Sequence, residues 1–375
     1  AHIVMAGILP TLGAQDLVSA NLSRADRYML LNDRILAARG EDISLDIVGV
    51  ERLTTTSGSI APEAACTSMQ MHLQVTPARF AAVWNAAQVA VAPQIAMGAN
   101  SPFLFGRELW SETRVPLFLQ ATDTRPEELR TQGVRPITWF GERWITGAYD
   151  LFEENVRYFP SLLPICEDED PLRVLDEGGV PQLRELTLHN GTIYRWNRPV
   201  YAVVDGVPHL RVENRVMPAG PTVADVIANA AFYYGLVRAL AESPRPVWSR
   251  LPFAAAEANF DAACRDGIDA VLRWPRNGRA GSLAEVAAVD LVRDELLPLA
   301  AAGLDGWGID PVDRDHYLGI IEGRCARRAN GATWQRDAFH RELGRGLDRQ
   351  RALAAMTLRY CELMHSGEPV HEWPE

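Results

Sequence analysis

The segment His209-Leu210-Arg211-Val212-Glu213-Asn214-Arg215-Val216 holds the densest set of groups able to handle a charged ligand. On a strand, successive side chains alternate between faces. His209, Arg211, Glu213 and Arg215 then share one face, and Leu210, Val212 and Val216 share the other with Asn214. A carboxylate between two guanidiniums suits a metal-bound anion, because glutamate can hold Mg²⁺ and arginine neutralises phosphate oxygens. A solvated sheet face with alternating charges has the same pattern, and on pattern alone it is the commoner explanation.

A second polar face comes from residues 68–75. Ser68, Gln70, His72 and Gln74 alternate with Met69, Met71, Leu73 and Val75. Histidine can ligate a metal and glutamine amides can hold a carboxylate, but no ligand spacing accompanies His72, so an ordinary polar role stands beside that one. Asn100-Ser101-Pro102 is a turn, and Arg107 and Arg114 follow it. Two arginines past such a turn can bind a carboxylate or form surface ion pairs. Trp196 and Arg198 share a strand face, which permits a packed cation–π pair. The acidic run Glu167-Asp168-Glu169-Asp170 reads as a solvated loop rather than a metal cluster.

All 37 basic residues are arginine, and the chain has no lysine. A phosphate-binding P-loop and a Schiff-base or pyridoxal mechanism both need a lysine, so those chemistries are excluded. Phosphate, if handled, falls to arginine and metal. Neither H-E-x-x-H nor G-x-S-x-G occurs. A net charge of −11 argues against a nucleic-acid partner, although a local arginine cluster can still receive an anion. The five cysteines at 66, 166, 264, 325 and 361 are scattered, which fits reduced thiols in the cytoplasm. No apolar run is expected to span a membrane, which takes roughly 18–20 residues, and no signal peptide is expected.

These groups need elements to position them. Residues 23–39, 76–98 and 222–240 read as helices, the second started by Thr76-Pro77 and kinked by Pro93, the third capped by Thr222. Residues 45–53, 68–75, 186–188, 192–198 and 209–216 read as strands, with 54–59 a polar loop and Asp205-Gly206 a turn. From residue 252 onward the pattern predicts helices at 254–272, 283–301, 311–328 and 350–365, the first two separated by a loop around Trp274-Pro275-Arg276-Asn277-Gly278. The opening, Ala1 to Pro10, reads as a buried strand that begins abruptly, so a segment upstream is expected. With 375 residues, 47% of them hydrophobic, the chain suffices for a large core. The layout predicts an α+β fold, with a sheet-bearing portion at 1–245 and a helical portion at 246–375 packed on it.

Several segments together resemble the bacterial glutamate–cysteine ligase family, which includes small carboxylate–amine ligases. They are Cys66-Thr67-Ser68-Met69-Gln70-Met71-His72-Leu73-Gln74-Val75, Gly98-Ala99-Asn100-Ser101-Pro102-Phe103, Arg107, Arg114, Trp196-Asn197-Arg198 and Val212-Glu213-Asn214-Arg215. Order and rough spacing agree from the first residue to about 240. The resemblance implies a glutamine-synthetase-like antiparallel sheet with a concave catalytic face. It implies Glu213 as a Mg²⁺ ligand with His72 beside it, and Arg215 as a phosphate binder. Gln70, His72 and Arg211 would face the nucleotide, Arg114 and Arg198 would hold the amino-acid carboxylate, and Asn100 would shape the pocket.

The reaction so implied uses ATP and Mg²⁺ to turn a carboxylate into an acyl phosphate, which an amine then attacks. Its partners are small molecules, an amino-acid carboxylate and an amine, and a homo-oligomer is allowed. Family members also carry an E-x-E strand and a second glutamate strand, which supply much of the metal binding and are expected upstream of this chain's first residue; no equivalent is found here, and Glu51 and Glu63 stand isolated. Two other readings therefore stay open, a nucleotide- or amino-acid-binding protein without turnover, and a phosphotransferase on the same fold.

Overall fold

The computed structural model describes residues 3–374 except 22, 24, 164 and 277–281. Helix α1 (Asp26–Arg39) leads into a hairpin, β1 (Ile43–Val48) and β2 (Arg52–Ser57), and then a four-residue helix, α2 (Ala61–Ala64). Strand β3 (Met71–Val75) precedes α3 (Phe80–Gly98), α4 (Arg114–Ala121), α5 (Ala148–Tyr158) and α6 (Arg184–Gly191). Strands β4 (Asn197–Val204) and β5 (Val207–Asn214) follow, then α7 (Val223–Glu242) and α8 (Phe253–Asp266). A second hairpin, β6 (Val271–Pro275) and β7 (Leu283–Ala287), precedes α9 (Leu297–Gly306), α10 (Pro311–Arg327), α11 (Gly331–Gly344) and α12 (Arg349–Ser366). The fold is α+β, as the sequence predicts.

The central sheet is antiparallel, in the order β3-β5-β4. A two-residue turn joins β4 to β5, with Asp205 at φ 51° and Gly206 at φ 76°. Both angles are positive, as a hairpin turn that matches strand twist requires. Behind the sheet lies α3, buried along nearly its whole length. Its polar residues fix the register: Gln88 Oε1 accepts from Asn197 Nδ2 at 2.7 Å, and Asn214 Nδ2 donates to Asn197 Oδ1 at 2.9 Å. Trp84 Nε1 donates to the Asn197 carbonyl at 2.9 Å. Buried amides that satisfy one another hold a single pairing, because a slip would strand each of them without a partner.

One continuous apolar cluster runs from Met71 through α3, α7 and α8 to Ile321 and Cys325. It joins residues on both sides of position 245. Helix α7 is long and apolar enough to cross a membrane by composition, yet half of the qualifying window is buried inside the protein. Where α7 crosses α9, a Cβ on Gly303 would land on the carbonyl oxygen of Gly235. Overpacking of this kind costs about 1–3 kcal/mol. Gly303→Ala is expected to lower the urea midpoint accordingly, with an unchanged denaturant slope.

Several expectations hold. Thr222 and Asp225 cap α7 reciprocally, and Asp310 caps α10. Others need correction. The expected strand at 45–53 is the β1–β2 hairpin, and the expected loop at 54–59 supplies most of β2. Its threonines suit a strand because they are β-branched. Residues 186–188 lie in helix α6, not a strand. The expected helices at 254–272 and 283–301 each surrender residues to β6 or β7; short apolar runs do not distinguish the two periods. Asn259 secures β6 by bonding both the amide and the carbonyl of Arg273. Of the loop expected between them, Asn277 and Gly278 lie outside the described residues. The opening segment from Ile3 is no strand: it is tied by single bonds, Gly7 N to Asn100 O at 3.0 Å and Thr67 N to Gly7 O at 2.8 Å. Ala1 and His2 lie outside the described residues.

Candidate functional site

Strand pairing puts His72, Glu213 and Arg198 abreast on one face of the sheet. Glu213 is only 2% exposed. Arg198 Nη2 donates to both its oxygens, at 3.1 and 3.0 Å, and Arg215 Nε lies 3.2 Å from Oε1. Two guanidiniums thus share one carboxylate, which leaves the trio with a net positive charge. Arg215 Nη1 and Arg198 Nε are buried without a hydrogen-bond partner among the described residues. Burial, and then the neighbouring Arg198, pulls the Arg215 pKa down. Both guanidiniums therefore keep a buried donor that an anion could engage.

Two cavities meet beside this trio. One holds about 410 Å³ and the other about 980 Å³. Tyr28, Glu63, Tyr194 and Arg215 line both. The smaller also touches Cys66, Arg114, Arg195 and Trp196, and the larger touches Gln70, Arg184, Arg198 and Tyr201. The Arg215 guanidinium lies 5.6 Å from the centre of the Tyr194 ring, at the joint. Arg195 is 1% exposed, pairs with Glu154 at 3.0 Å, and keeps Nε and Nη1 unpartnered among the described residues. The apolar walls and convergent cations suit a small anionic ligand.

The structure brings Arg215, Arg198, Arg114 and Gln70 to the cavity walls, with Glu213 beneath them. Arg114 is heavily committed: Nε donates to Glu112 Oε1 at 2.9 Å, and Nη2 donates to the Val216 carbonyl. It is 3% exposed and lies 5.8 Å from the centre of the Trp196 ring, so it braces the smaller cavity's wall. His72 and Arg211 share the sheet face but line neither cavity. Arg211 Nε donates to His72 Nδ1 at 3.1 Å, and Arg211 Nη1 lies 2.9 Å from His209 Nε2. Burial holds the His72 pKa down.

Two expected roles do not survive this geometry. Asn100 is wholly buried and lines neither cavity. Its Nδ2 donates to the Ala219 carbonyl and Tyr360 Oη, both at 2.8 Å, and its Oδ1 accepts from Gln335 at 2.7 Å. It knots the opening segment to α11 and α12, with no polar atom left for a ligand. Glu213 and His72 as a metal pair also fail the fit. Among the described residues no group of three or more His, Cys, Asp or Glu side chains could hold a metal. The one buried carboxylate on the sheet face is already neutralised by two arginines. The acidic run forms no cluster either: Asp170 caps the short helix Pro171–Asp176, and Glu169 accepts from the amides of Gln182 and Leu183.

Sequence reasoning set Glu63 aside as isolated. It lies on α2, half-buried, on the wall shared by both cavities. Burial pushes its pKa up to about 7, against the pull of Arg215. No local motif marks it, since α2 is a four-residue turn that only tertiary packing carries over the site. Tyr28, Tyr194 and Arg195 were missed because tertiary packing, not a local motif, brings them to the cavities.

The family model for glutamate-cysteine ligase family 2 (GCS2) matches residues 3–315, a span that includes the sheet, both cavities and the helices behind them. Among curated proteins, no match was found. On the family match, the chain belongs to glutamate–cysteine ligase family 2, and its kind of activity is the ligation of a carboxylate to an amine.

Proposed function

We propose that the protein activates an amino-acid carboxylate with ATP and joins it to an amine, forming a γ-glutamyl or similar amide. The observation that carries this reading is the Arg198–Glu213–Arg215 trio: net positive, with unpartnered donors, at the joint of two cavities in a chain without lysine. ATP supplies the phosphoryl group that makes the carboxylate an acyl phosphate. Arg215 and Arg198 hold the phosphoryl oxygens in the joint, where low dielectric strengthens each contact. Glu213 keeps the two guanidiniums from repelling one another and sets their angle. Arg195, with its free donors, orients the substrate carboxylate in the smaller cavity. The described residues offer no donor set for Mg²⁺. Five unpaired cysteines support a reducing, cytoplasmic setting. The family's name supports glutamate and cysteine as the first substrates to try.

The test is phosphate release from ATP with glutamate, with and without cysteine or another amine. Amine-dependent release is expected. Glu213→Gln is expected to lower it by roughly 10²-fold, because it frees two like charges to part and misplaces both. Retained turnover in a folded Glu213→Gln protein would remove the trio from the chemistry. Among the described residues no group of three or more His, Cys, Asp or Glu side chains could hold a metal, which keeps a second reading, binding without turnover, that predicts no release with any amine. Release indifferent to amine would indicate a phosphotransferase.

A further inference from the structure

We propose that Glu63 is the base that takes the proton from the attacking ammonium group. This inference rests on the ligase reading above. An amine is protonated at neutral pH and has no lone pair for attack, so a ligase needs an acceptor at the point where amine and activated carbonyl meet. Glu63 lines both cavities, on the wall they share. The groups around it are Arg215 after β5, Tyr194 before β4, Tyr28 on α1, Arg114 at the start of α4 and Cys66 beyond α2. None of the hydrogen bonds among the described residues engages its carboxylate, in contrast to Glu213, Glu112 and Glu154, each of which is paired with an arginine. A carboxylate left free at a cavity joint can accept a proton without first breaking an ion pair. Its pKa of about 7 places it where a base both exists in its ionised form and drives transfer.

The step balances as follows. The substrate ammonium gives one proton to a Glu63 oxygen, and the nitrogen lone pair attacks the acyl-phosphate carbon. The carbon–nitrogen bond forms, and the carbon–oxygen bond to phosphate breaks. Phosphate leaves with that electron pair and takes the second nitrogen proton.

The experiment compares two nucleophiles on the full chain with ATP and glutamate: cysteine, which must lose a proton, and hydroxylamine, which is largely neutral at pH 7. Amide and hydroxamate are both quantified for wild type, Glu63→Gln and Glu63→Asp. The amide-to-hydroxamate ratio is expected to fall roughly 10²-fold in Glu63→Gln. The acid limb of the wild-type amide profile, centred near the Glu63 value of about 7, is expected to disappear with it. Glu63→Asp, which keeps the base but retracts it, is expected to recover part of the ratio. Hydroxamate formation also reports that each variant is folded. An unchanged ratio, or an equal loss with both nucleophiles, overturns the assignment of Glu63 alone. Failure of wild type with both nucleophiles overturns the ligase reading itself.

Discussion

Arg215→Ala is expected to lower ATP-driven amide formation by roughly 10³-fold, within the range seen when an arginine that neutralises a transferring phosphoryl group is lost. Arg215 reaches both cavities and keeps Nη1 free of any partner among the described residues. Its removal takes one of two cations from the trio, so Glu213 and Arg198 cancel and the excess positive charge vanishes. On the proposed reading, charge developing on the phosphoryl oxygens then loses its nearest counter-charge. Lysine should rescue only part of the loss, since a point charge cannot contact Glu213 and the ligand in one plane. Steady-state kinetics would show the fall chiefly in kcat, with a urea midpoint close to that of wild type. Equal losses of binding and rate would instead mark Arg215 as a ground-state anchor.

Arg324→Leu is expected to destabilise the fold by about 3–5 kcal/mol. Arg324 is 1% exposed, and its Nη2 donates to Asp225 Oδ1 at 2.8 Å. Its Nη1 donates to Asn229 Oδ1 at 2.7 Å. The pair clamps α10 onto the first turn of α7, and Asp225 in turn caps α7 and accepts from the amide of Val370. Loss of the arginine leaves a fully buried carboxylate with only neutral donors. Urea titration should show a lower midpoint, and activity at low temperature should survive, because neither residue lines a cavity. An unshifted midpoint would mean that water or local rearrangement satisfies Asp225.

Much of the scaffold was legible because local chemistry and burial agree. Residues 68–75 alternate by type, and in the structure Met71 lies in the main apolar cluster with Met69, Leu73 and Val75 packed against it. Thr222 and Asp310 announced their helices by capping. The face holding Glu213 and Arg215 was readable as a face, but the pairing with Arg198 was not, since strand partners depend on register rather than spacing. Glu63 was illegible because a four-residue helix has no periodicity. Asn100 misled for the opposite reason: a conspicuous turn motif proved to be a buried tie between distant segments. The β6–β7 hairpin was hidden by apolar runs that satisfy helix and strand periods alike.

On the proposed reading, the carboxylate is activated by phosphoryl transfer at the Arg198–Glu213–Arg215 trio. That activation is tested most directly by isotope transfer. Glutamate labelled with oxygen-18 in its side-chain carboxylate is incubated with the protein, ATP and an amine, and the released phosphate is analysed by mass spectrometry. Activation through an acyl phosphate moves one labelled oxygen into each phosphate formed with amide, and Arg215→Ala should suppress label and amide together. Unlabelled phosphate formed alongside amide, or label transfer undiminished in Arg215→Ala, would contradict the account.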